Sequence, residues 1–533
     1  MKKNFILFIL LFLNTFLYSQ NIEMVKDINP NGSSIPQKLK VARYKESMTS
    51  TPTRLFFMAN DDQGKGVFLT DGTETGTKKI LSNITNAYGF ISFNTLNFLV
   101  QSPTVLYICE NANYGAEIWR TNGTINTTQL LKDIYTGTSS SYPSNIVPLN
   151  FQAYFAATSS LNLRSIYSTT GTAAETQIAI PFNSGANSMI YYIDTLNNHL
   201  IFAAYTLQNG AELWISDGTE AGTQLVKEIA SGNANAFDTL YGAINFSPVH
   251  FNGKIFFNAK NNTNNNEPWF SDGTTAGTLC LKEINPNGGS NPTNFVVCNN
   301  HLYFFAWDGT EYGIYETDGT VNNADKVASI GLNLPSKLFA YNNSLYYFNN
   351  NGMLIKYDVQ NHVATDIKQF NLDPYGITSM IEYNGYLYFS AYRSGNYELW
   401  RTDGSIANTI QLLPPNAVNS GSPSSFTEYD GSLYFAANFM NEGLELWKLT
   451  DSTTLLPPMF NVVNKNSIYP NPAKEFITIQ SLTSENFYIY NSMGKLVLSS
   501  KNNKQAISID QLSSGLYLVR DEKNNFIGKF IKE

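Results

Sequence analysis

The feature of this sequence that most constrains its fold is an internal repeat. Each well-preserved copy joins a segment like ELW to a segment like DGT and then to an apolar stretch. The four clearest copies are AEIWRTNGTINTTQLLKDI from Ala116, AELWISDGTEAGTQLVKEI from Ala211, EPWFSDGTTAGTLCLKEI from Glu267 and ELWRTDGSIANTIQLL from Glu398. The turn glycines of successive copies, which are Gly72, Gly123, Gly171, Gly218, Gly273 and Gly319, are 51, 48, 47, 55 and 46 residues apart. A period of about 40 to 50 residues is typical of the blades of β-propellers.

Each unit is predicted to contain four strands, as in PTNFVVCN, HLYFFAWD, GIYETDGT and ADKVASI. The second strand is apolar on both faces, which predicts a sheet covered on both sides by neighbouring sheets. In the third strand the Glu and Trp of ELW share one face, because side chains alternate along a strand. The DGT segment is predicted to be a turn, in which Asp bonds to the backbone two residues on and Gly adopts a positive φ. Tryptophan occupies the ELW position at Trp119, Trp214, Trp269, Trp400 and Trp447.

The two ends of the repeat array predict a closed ring. The last unit ends after ELWKLTD without a fourth strand, whereas Ile22–Ile28 (IEMVKDI) has the form of one. An N-terminal strand that completes the last blade would leave no open sheet edge. The predicted fold is therefore all-β, with residues 21–450 as a large closed β-propeller of four-stranded blades. Nine second strands are present, but propellers usually have about four to eight blades. Eight blades, with a degenerate unit at Tyr346–Asp358 as a connector, is the alternative.

Composition excludes nucleic acid as a partner, and no motif indicates a catalytic residue. The net charge is −8, so the chain has no positive field to attract phosphates. We find no zinc-type cysteine spacing, HExxH, GxSxG or phosphate-binding loop. The prediction is no cofactor, no metal site and no assigned catalytic residue. Cys109, Cys280 and Cys298 are predicted to be small buried apolar residues, and His199, His250, His301 and His362 to lie in turns or in solvent.

Residues 1–20 are predicted to be a secretory signal peptide. Two lysines precede an apolar run at Phe5–Leu13, and Gln20 and Asn21 flank the predicted cleavage site. The apolar run is shorter than the roughly 20 residues of a membrane-spanning helix. We therefore expect no transmembrane segment in the mature chain, which folds outside the cytoplasm.

The C-terminal part is predicted to be a separate domain. Residues 451–466 form a polar, proline-containing linker, and residues 467–533 contain six short strands that predict an immunoglobulin-like β-sandwich. Four segments of this part (YPNP, IYNSMGKLV, LSSGLYLV and KFIK) resemble, in the same order, the C-terminal sorting domain of type IX secretion cargo. The residues of the sorting motif are Pro470, Asn471, Pro472, Gly494 and Gly515.

This resemblance implies a Gram-negative bacterium and export through the periplasm to the medium or the outer cell surface. The partner that it implies is the type IX outer-membrane translocon, which recognises the C-terminal domain. The repeat region in turn resembles the ELWxxDGT-repeat proteins. That family implies the shape of the body and no particular activity.

The loops between the second and third strands and between units are predicted to share one rim of the propeller. Aromatic rings on this polar rim could stack on sugars, so the predicted function is a non-enzymatic binding or adhesion module for a glycan or a surface protein. One alternative is a polysaccharide hydrolase or lyase with paired carboxylates in the propeller channel. Another is a structural component of a surface layer. The predicted binding residues are Tyr114, Trp307, Tyr312 and Tyr397, and the rim also carries Tyr135 and Tyr142.

Overall fold

The structure is a computed structural model in which the chain forms two compact units, Met1–Ser452 and Thr453–Glu533. Of the predicted signal peptide, only its last two residues lie in the described ranges. The structure describes residues 19–43, 52–92, 104–144, 146–182, 189–237, 239–240, 243–244, 246–262, 265–371, 380–393, 395–452, 467–469, 473–480, 486–491, 496–501, 507–521 and 526–533.

The first unit is built from short strands and one turn of 3-10 helix at Ile125–Thr127. The strands are β1 (Ser19–Lys26); β2 (Gln37–Arg43), β3 (Thr53–Asp61), β4 (Gly64–Thr70) and β5 (Lys78–Ser82); β6 (Ile84–Ser92), β7 (Val105–Asn111), β8 (Gly115–Thr121) and β9 (Gln129–Lys132); β10 (Val147–Leu149), β11 (Gln152–Thr158), β12 (Arg164–Thr169) and β13 (Gln177–Ile180); β14 (Met189–Leu196), β15 (His199–Thr206), β16 (Gly210–Ser216) and β17 (Gln224–Lys227); β18 (Thr239–Leu240) and β19 (Ala243–Ile244); β20 (Val249–Phe251), β21 (Lys254–Lys260), β22 (Asn266–Ser271) and β23 (Leu279–Cys280); β24 (Thr293–Cys298), β25 (His301–Trp307), β26 (Tyr312–Thr317) and β27 (Asp325–Gly331); β28 (Phe339–Tyr341), β29 (Ser344–Phe348), β30 (Met353–Asp358) and β31 (Val363–Gln369); β32 (Met380–Tyr383), β33 (Tyr386–Arg393), β34 (Asn396–Thr402) and β35 (Ile410–Gln411); β36 (Gly421–Tyr429), β37 (Ser432–Asn438) and β38 (Glu445–Ser452).

These strands form four-stranded antiparallel meanders, in which each strand is hydrogen-bonded to the next. Two meanders, β32–β35 and β36–β38 with β1, are joined through the pair Glu398–Gly421 into one eight-stranded sheet. The degenerate unit at Tyr346–Asp358 belongs to a complete four-stranded sheet and is not a bare connector. The meanders that form separate sheets in the described ranges are β2–β5, β6–β9, β10–β13, β14–β17, β20–β23, β24–β27 and β28–β31.

The second strand of each meander is buried on both faces, as its apolar sequence predicts. In β3, Leu55–Ala59 are at most 1% exposed, and in β25 the same holds for Leu302–Ala306. Because both faces of these strands are covered, each sheet must pack against a neighbour on either side.

Each sheet shares a hydrophobic core with the next sheet along the chain. Tyr107 of β7, for example, packs in one cluster with Phe56 of β3. Corresponding clusters join every later pair of neighbouring sheets. A further cluster joins the last sheet to the first, through Val25 and Leu446 on one side and Phe57 on the other.

The N-terminal strand completes the last sheet. β1 pairs with β38 in antiparallel register, with Ile22 opposite Leu449 and Met24 opposite Trp447. This is the pairing predicted from the two ends of the repeat array. The contact joins residues more than 400 positions apart in the sequence, so it holds the first and last parts of the unit together.

The second unit contains two sheets that share a core. The three-stranded sheet contains, in spatial order, β39 (Ser467–Tyr469), β40 (Phe476–Gln480) and β43 (Ile507–Ser508). The four-stranded sheet contains, in spatial order, β42 (Leu496–Lys501), β41 (Asn486–Asn491), β44 (Gly515–Asp521) and β45 (Phe526–Lys532). Ile477, Ile489 and Val519 lie in the common core. The six strands predicted from the sequence are all present, as β40 to β45.

Candidate functional site

The glutamate of the ELW segment is buried and binds the connection that leaves its sheet. Glu117 in β8 is 0% exposed. Its Oε1 accepts hydrogen bonds from the backbone N–H groups of Tyr135 and Ser141, both at 3.1 Å. Its Oε2 accepts from the N–H of Ile134 at 3.2 Å and from the Ser141 hydroxyl at 2.7 Å. All these donors lie between β9 and β10, so one carboxylate fixes the path from one sheet to the next.

The arrangement recurs in three other sheets, and a fourth departs from it. In β34, Glu398 accepts a hydrogen bond from the indole N–H of Trp400 at 3.2 Å. The sequence pattern places the Glu of ELW on the same strand face as the Trp, but it does not indicate that the carboxylate binds the connection. The recurring bonds run from Ile229 and Ala230 to Glu212, from Ile284, Asn285 and Ser290 to Glu267, and from Ile28 and Ser34 to Glu445.

Burial raises the pKa of these carboxyl groups. The pKa of Glu117 is raised to about 7 and that of Glu212 to about 8, although the N–H donors act in the opposite direction. The pKa values of Glu267 and Glu445 are raised for the same reason. Perturbed carboxyl groups often mark catalytic sites. Here they are sealed from solvent and occupied by backbone donors, which makes them structural.

The DGT segments are turns, as predicted. Oδ1 of Asp217 accepts from the N–H and the hydroxyl of Thr219 at 2.9 and 2.7 Å, and Gly218 has a φ of +99°. The turns at Asp71, Asp272 and Asp318 have the same bonds. Each carboxylate is used within its own turn. In the part of the chain that the structure describes, no three His, Cys, Asp or Glu side chains converge as a metal site requires.

The cysteines and histidines occupy structural positions. All three cysteines are free; Cys109 and Cys298 are buried as predicted, whereas Cys280 is half-buried. Burial raises the pKa of each thiol, which disfavours the reactive thiolate. The histidines lie at turns and strand ends, as predicted. They contact the Asn197 carbonyl (His199), Asp194 (His250), the Asn299 carbonyl (His301) and the Tyr357 hydroxyl (His362).

The four predicted binding aromatics lie in second-to-third-strand hairpins of three sheets. Trp307 and Tyr312 face each other across β25 and β26, with ring centroids 5.0 Å apart. Tyr114 is 37% exposed and packs edge-on against a tryptophan of its own sheet, and Tyr397 packs against Tyr392 at 5.2 Å. The structure brings Trp307 and Tyr312 together and places Tyr114 and Tyr397 in other sheets. The four rings therefore do not make one site.

A pocket of about 480 Å³ lies beside the hairpin that carries Tyr397. Its polar lining is neutral, and its apolar residues Val418 and Leu413 are 62% and 48% exposed. Asn419 is fixed, because its Nδ2 donates to the Met440 carbonyl at 2.8 Å. Asparagine and glutamine are abundant in this sequence, so no pattern singled these residues out. The pocket is lined by Asn396, Gln411, Leu413, Ala417, Val418, Asn419, Ser420, Gly421, Ser422 and Asn438.

The predicted processing and sorting residues are only partly within the described ranges. Gln20 and Asn21 lie in β1, where Gln20 Nε2 donates to the Tyr388 hydroxyl at 2.7 Å and to Asp451 at 2.9 Å. Gly515 is the first residue of β44. The remaining sorting residues, Pro470, Asn471, Pro472 and Gly494, lie outside the described residues.

Comparison with protein families assigns the C-terminal unit. Residues 467–533 match the secretion system C-terminal sorting domain. The chain therefore carries a type IX sorting domain, which supports secretion and export to the cell surface and implies interaction with the type IX secretion system. Within the described ranges, no helix has the length and apolar character needed to cross a membrane. No curated protein matches the chain.

Similar solved structures share low sequence identity with this chain. The computationally designed Ika8 protein is 12% identical, with a TM-score of 0.38 over 69% of this chain and 96% of its own. BamB from Moraxella catarrhalis is 11% identical, with a TM-score of 0.37 over 70% and 99%. Puromycin hydrolase is 10% identical, with a TM-score of 0.36, and the match spans 69% of this chain and only 60% of the hydrolase. Matches at these TM-scores assign neither a fold nor a function.

Proposed function

We propose that the first unit is a closed β-propeller of nine blades and that its rim binds a neutral glycan outside the cell. The last sheet shares a core with the first, and side chains bridge the same two sheets. Lys448 donates to the Gly72 carbonyl at 3.0 Å, and the Tyr429 hydroxyl to the Thr53 carbonyl at 2.9 Å. A closed ring has no exposed sheet edge, which suits a protein that works in the extracellular medium.

A repeated lysine contact also supports the ring. Lys26 of the last sheet donates to the Thr77 carbonyl in the β4–β5 turn of the first sheet at 3.2 Å. The corresponding bonds between consecutive sheets run from Lys132 to Thr176, from Lys227 to Thr278 and from Lys282 to Ala324, at 2.6, 2.7 and 2.7 Å. The junction of last and first sheets therefore resembles the junctions between consecutive ones.

The amide-lined pocket carries the assignment of glycan binding. In the described part of the chain, the side-chain amides of Asn396 and Gln411 have no hydrogen-bond partner, so both a donor and an acceptor of each are free for sugar hydroxyls. Exposed Val418 and Leu413 supply apolar contact for the C–H groups of a sugar ring. A hydrolase would require paired carboxylates, and the residues that line this pocket include none. Binding without hydrolysis therefore fits the pocket better.

A glycan array probed with the full mature chain tests this proposal. We expect a subset of neutral glycans to bind, and Gln411→Ala and Asn396→Ala each to weaken binding by about tenfold, the effect of losing one or two hydrogen bonds. Asn126→Ala is the matched control, because Asn126 is an exposed amide in a third-to-fourth-strand turn and should not affect binding. An array without any bound glycan, or equal binding by the pocket variants and the control, would contradict the proposal and favour a structural surface component.

The export route has its own test. Deletion of residues 467–533 removes the matched sorting domain, so we expect the truncated chain to remain in the cells while the full chain reaches the surface or the medium. Immunoblots of cell and medium fractions measure this. Equal amounts of both chains outside the cells would show that export does not depend on the sorting domain.

A further inference from the structure

The β11–β12 hairpin and the connection before β10 carry a group of exposed apolar side chains. Leu161 is 76% exposed, Tyr142 61% and Leu163 40%. The hairpin is preformed, because the N–H of Asn162 bonds to the Ser159 carbonyl at 2.8 Å and the N–H of Ser159 to the Leu163 carbonyl at 3.0 Å. These side chains are therefore presented to solvent by a fixed backbone, and a partner would not have to order it.

Two side-chain contacts join the tip of the hairpin to the preceding connection, in addition to backbone bonds such as that from the N–H of Thr158 to the Ser141 carbonyl at 2.8 Å. The Tyr135 hydroxyl bonds to Asn162 Oδ1 at 3.2 Å, and Arg164 Nη1 donates to the Tyr142 carbonyl at 3.0 Å. Tyr142 has a φ of +44° and precedes a proline. A left-handed backbone is unfavourable for a tyrosine, and such strain concentrates at binding positions. We call these five residues, Tyr135, Tyr142, Leu161, Leu163 and Arg164, the Leu161 surface.

Arg164 gives the Leu161 surface a cation without a counter-ion. Its Nε donates to the Ile190 carbonyl at 2.8 Å, and Nη1 also donates to Thr158 Oγ1 at 3.2 Å. Among the described residues, no carboxylate lies within ion-pair distance of its guanidinium, and Nη2 has no hydrogen-bond partner. Desolvation lowers the pKa of Arg164 to about 10. In a chain of net charge −8, an arginine held in place without an acidic neighbour is available to an incoming carboxylate.

We propose that the Leu161 surface is a docking site for a protein segment in which an acidic side chain is flanked by apolar ones. The acidic side chain would bind Nη2 of Arg164, and the apolar ones would pack on Leu161, Leu163 and Tyr142. Tyrosine and arginine are the residue types that dominate protein-binding hot spots. An acidic glycan would need several hydrogen-bonding side chains for its hydroxyls, whereas Leu161 and Leu163 offer apolar contact alone, which favours a protein as the partner. A symmetric contact that packs two copies of the Leu161 surface on each other would supply no carboxylate for Arg164, because none of its five residues is acidic. We therefore take the partner to be a different protein.

The test is selection of peptides from a phage-displayed library of random sequences on the full mature chain. We expect enrichment of sequences with Asp or Glu next to Leu, Phe or Tyr. A synthetic peptide of that consensus should bind at least about tenfold more weakly to Leu161→Ser, because the variant loses the apolar contact that a leucine side chain covered by the partner would make. Leu332→Ser is the matched control, because Leu332 is 73% exposed in another connection. Tyr142→Gly removes the ring at a position where glycine accepts the positive φ, so it should weaken binding without unfolding the chain.

Three results would overturn the proposal. They are enriched peptides without an acidic residue, a consensus peptide that binds Leu161→Ser as tightly as the unchanged chain, and binding of a carboxylated polysaccharide such as polygalacturonate in place of the peptide. The amide-lined pocket lies in other sheets, so the glycan array and the peptide selection succeed or fail independently.

Discussion

Replacement of Glu117 by alanine tests whether the repeated glutamate holds each sheet-to-sheet connection. The side chain accepts four hydrogen bonds from the connection between β9 and β10. Without it the N–H groups of Ile134 and Tyr135 lose their acceptor, whereas the N–H of Ser141 keeps the Ala116 carbonyl at 3.1 Å. A buried donor left unpaired costs about 1–3 kcal/mol. Two such donors would cost about 2–6 kcal/mol together. Tyr135 is only half-buried, so we expect a local loss in the lower part of this range, about 3 kcal/mol.

Hydrogen exchange followed by mass spectrometry measures this local loss of stability directly. A change of about 1.4 kcal/mol is tenfold in an equilibrium constant, so amides in the peptide that contains Ile134 and Tyr135 should exchange about 100-fold faster. The amide exchange rates of peptides from β24–β27 should not change. Glu220→Ala, which removes an exposed carboxylate from a DGT turn, is the control and should leave both peptides as they are. Exchange within about twofold of the unchanged chain would refute the role assigned to Glu117.

Three further predictions concern stability. Folded Glu212 holds its proton up to about pH 8, whereas the unfolded chain releases it near 4.5, so the free energy of unfolding falls as pH rises through this window. The Tm should be lower at about pH 8.5 than at about pH 5.5. The difference should shrink in Glu212→Gln without vanishing, because the pKa of Glu117 is also raised, to about 7; a difference of unchanged size would exclude Glu212 as a contributor. A chain that begins at Asp27 lacks Ile22 and Val25, which are 4% and 5% exposed and contribute about 1.5–3 kcal/mol each. Its urea midpoint should drop clearly below that of a chain beginning at Gln20, and equal midpoints would contradict the role of β1. At Gly218 an added Cβ would lie 2.6 Å from the Tyr154 hydroxyl, whereas at Gly232 an added Cβ meets nothing within 4 Å. Gly218→Ala should therefore lower the free energy of unfolding by about 1–3 kcal/mol more than Gly232→Ala. Equal losses in the two variants would show that the Tyr154 ring moves aside.

Several features could be predicted from the sequence because they depend on local chemistry. The fully apolar second strands, the Asp-Gly-Thr turns and the six strands of the C-terminal unit all follow from strand periodicity and turn residues. The pairing of β1 with β38 is a long-range contact, and it was predictable only because Ile22–Ile28 is a displaced copy of a repeated strand. The aromatic residues were recognisable as residues of the hairpins between second and third strands, but their distribution over three sheets was not.

The sequence by itself determined the class of the fold and the export signal, because repeated turns, alternating strands and sorting motifs are written in consecutive residues. Only the tertiary structure decided what the repeated glutamate does, since its acceptor role exists only where a buried carboxylate meets backbone donors from 17 to 24 residues further on. The amide-lined pocket and the surface around Arg164 depend on tertiary structure for the same reason. Their residues come from separate hairpins and connections, and side chains of ordinary types acquire a function only through the distances and burial that folding gives them.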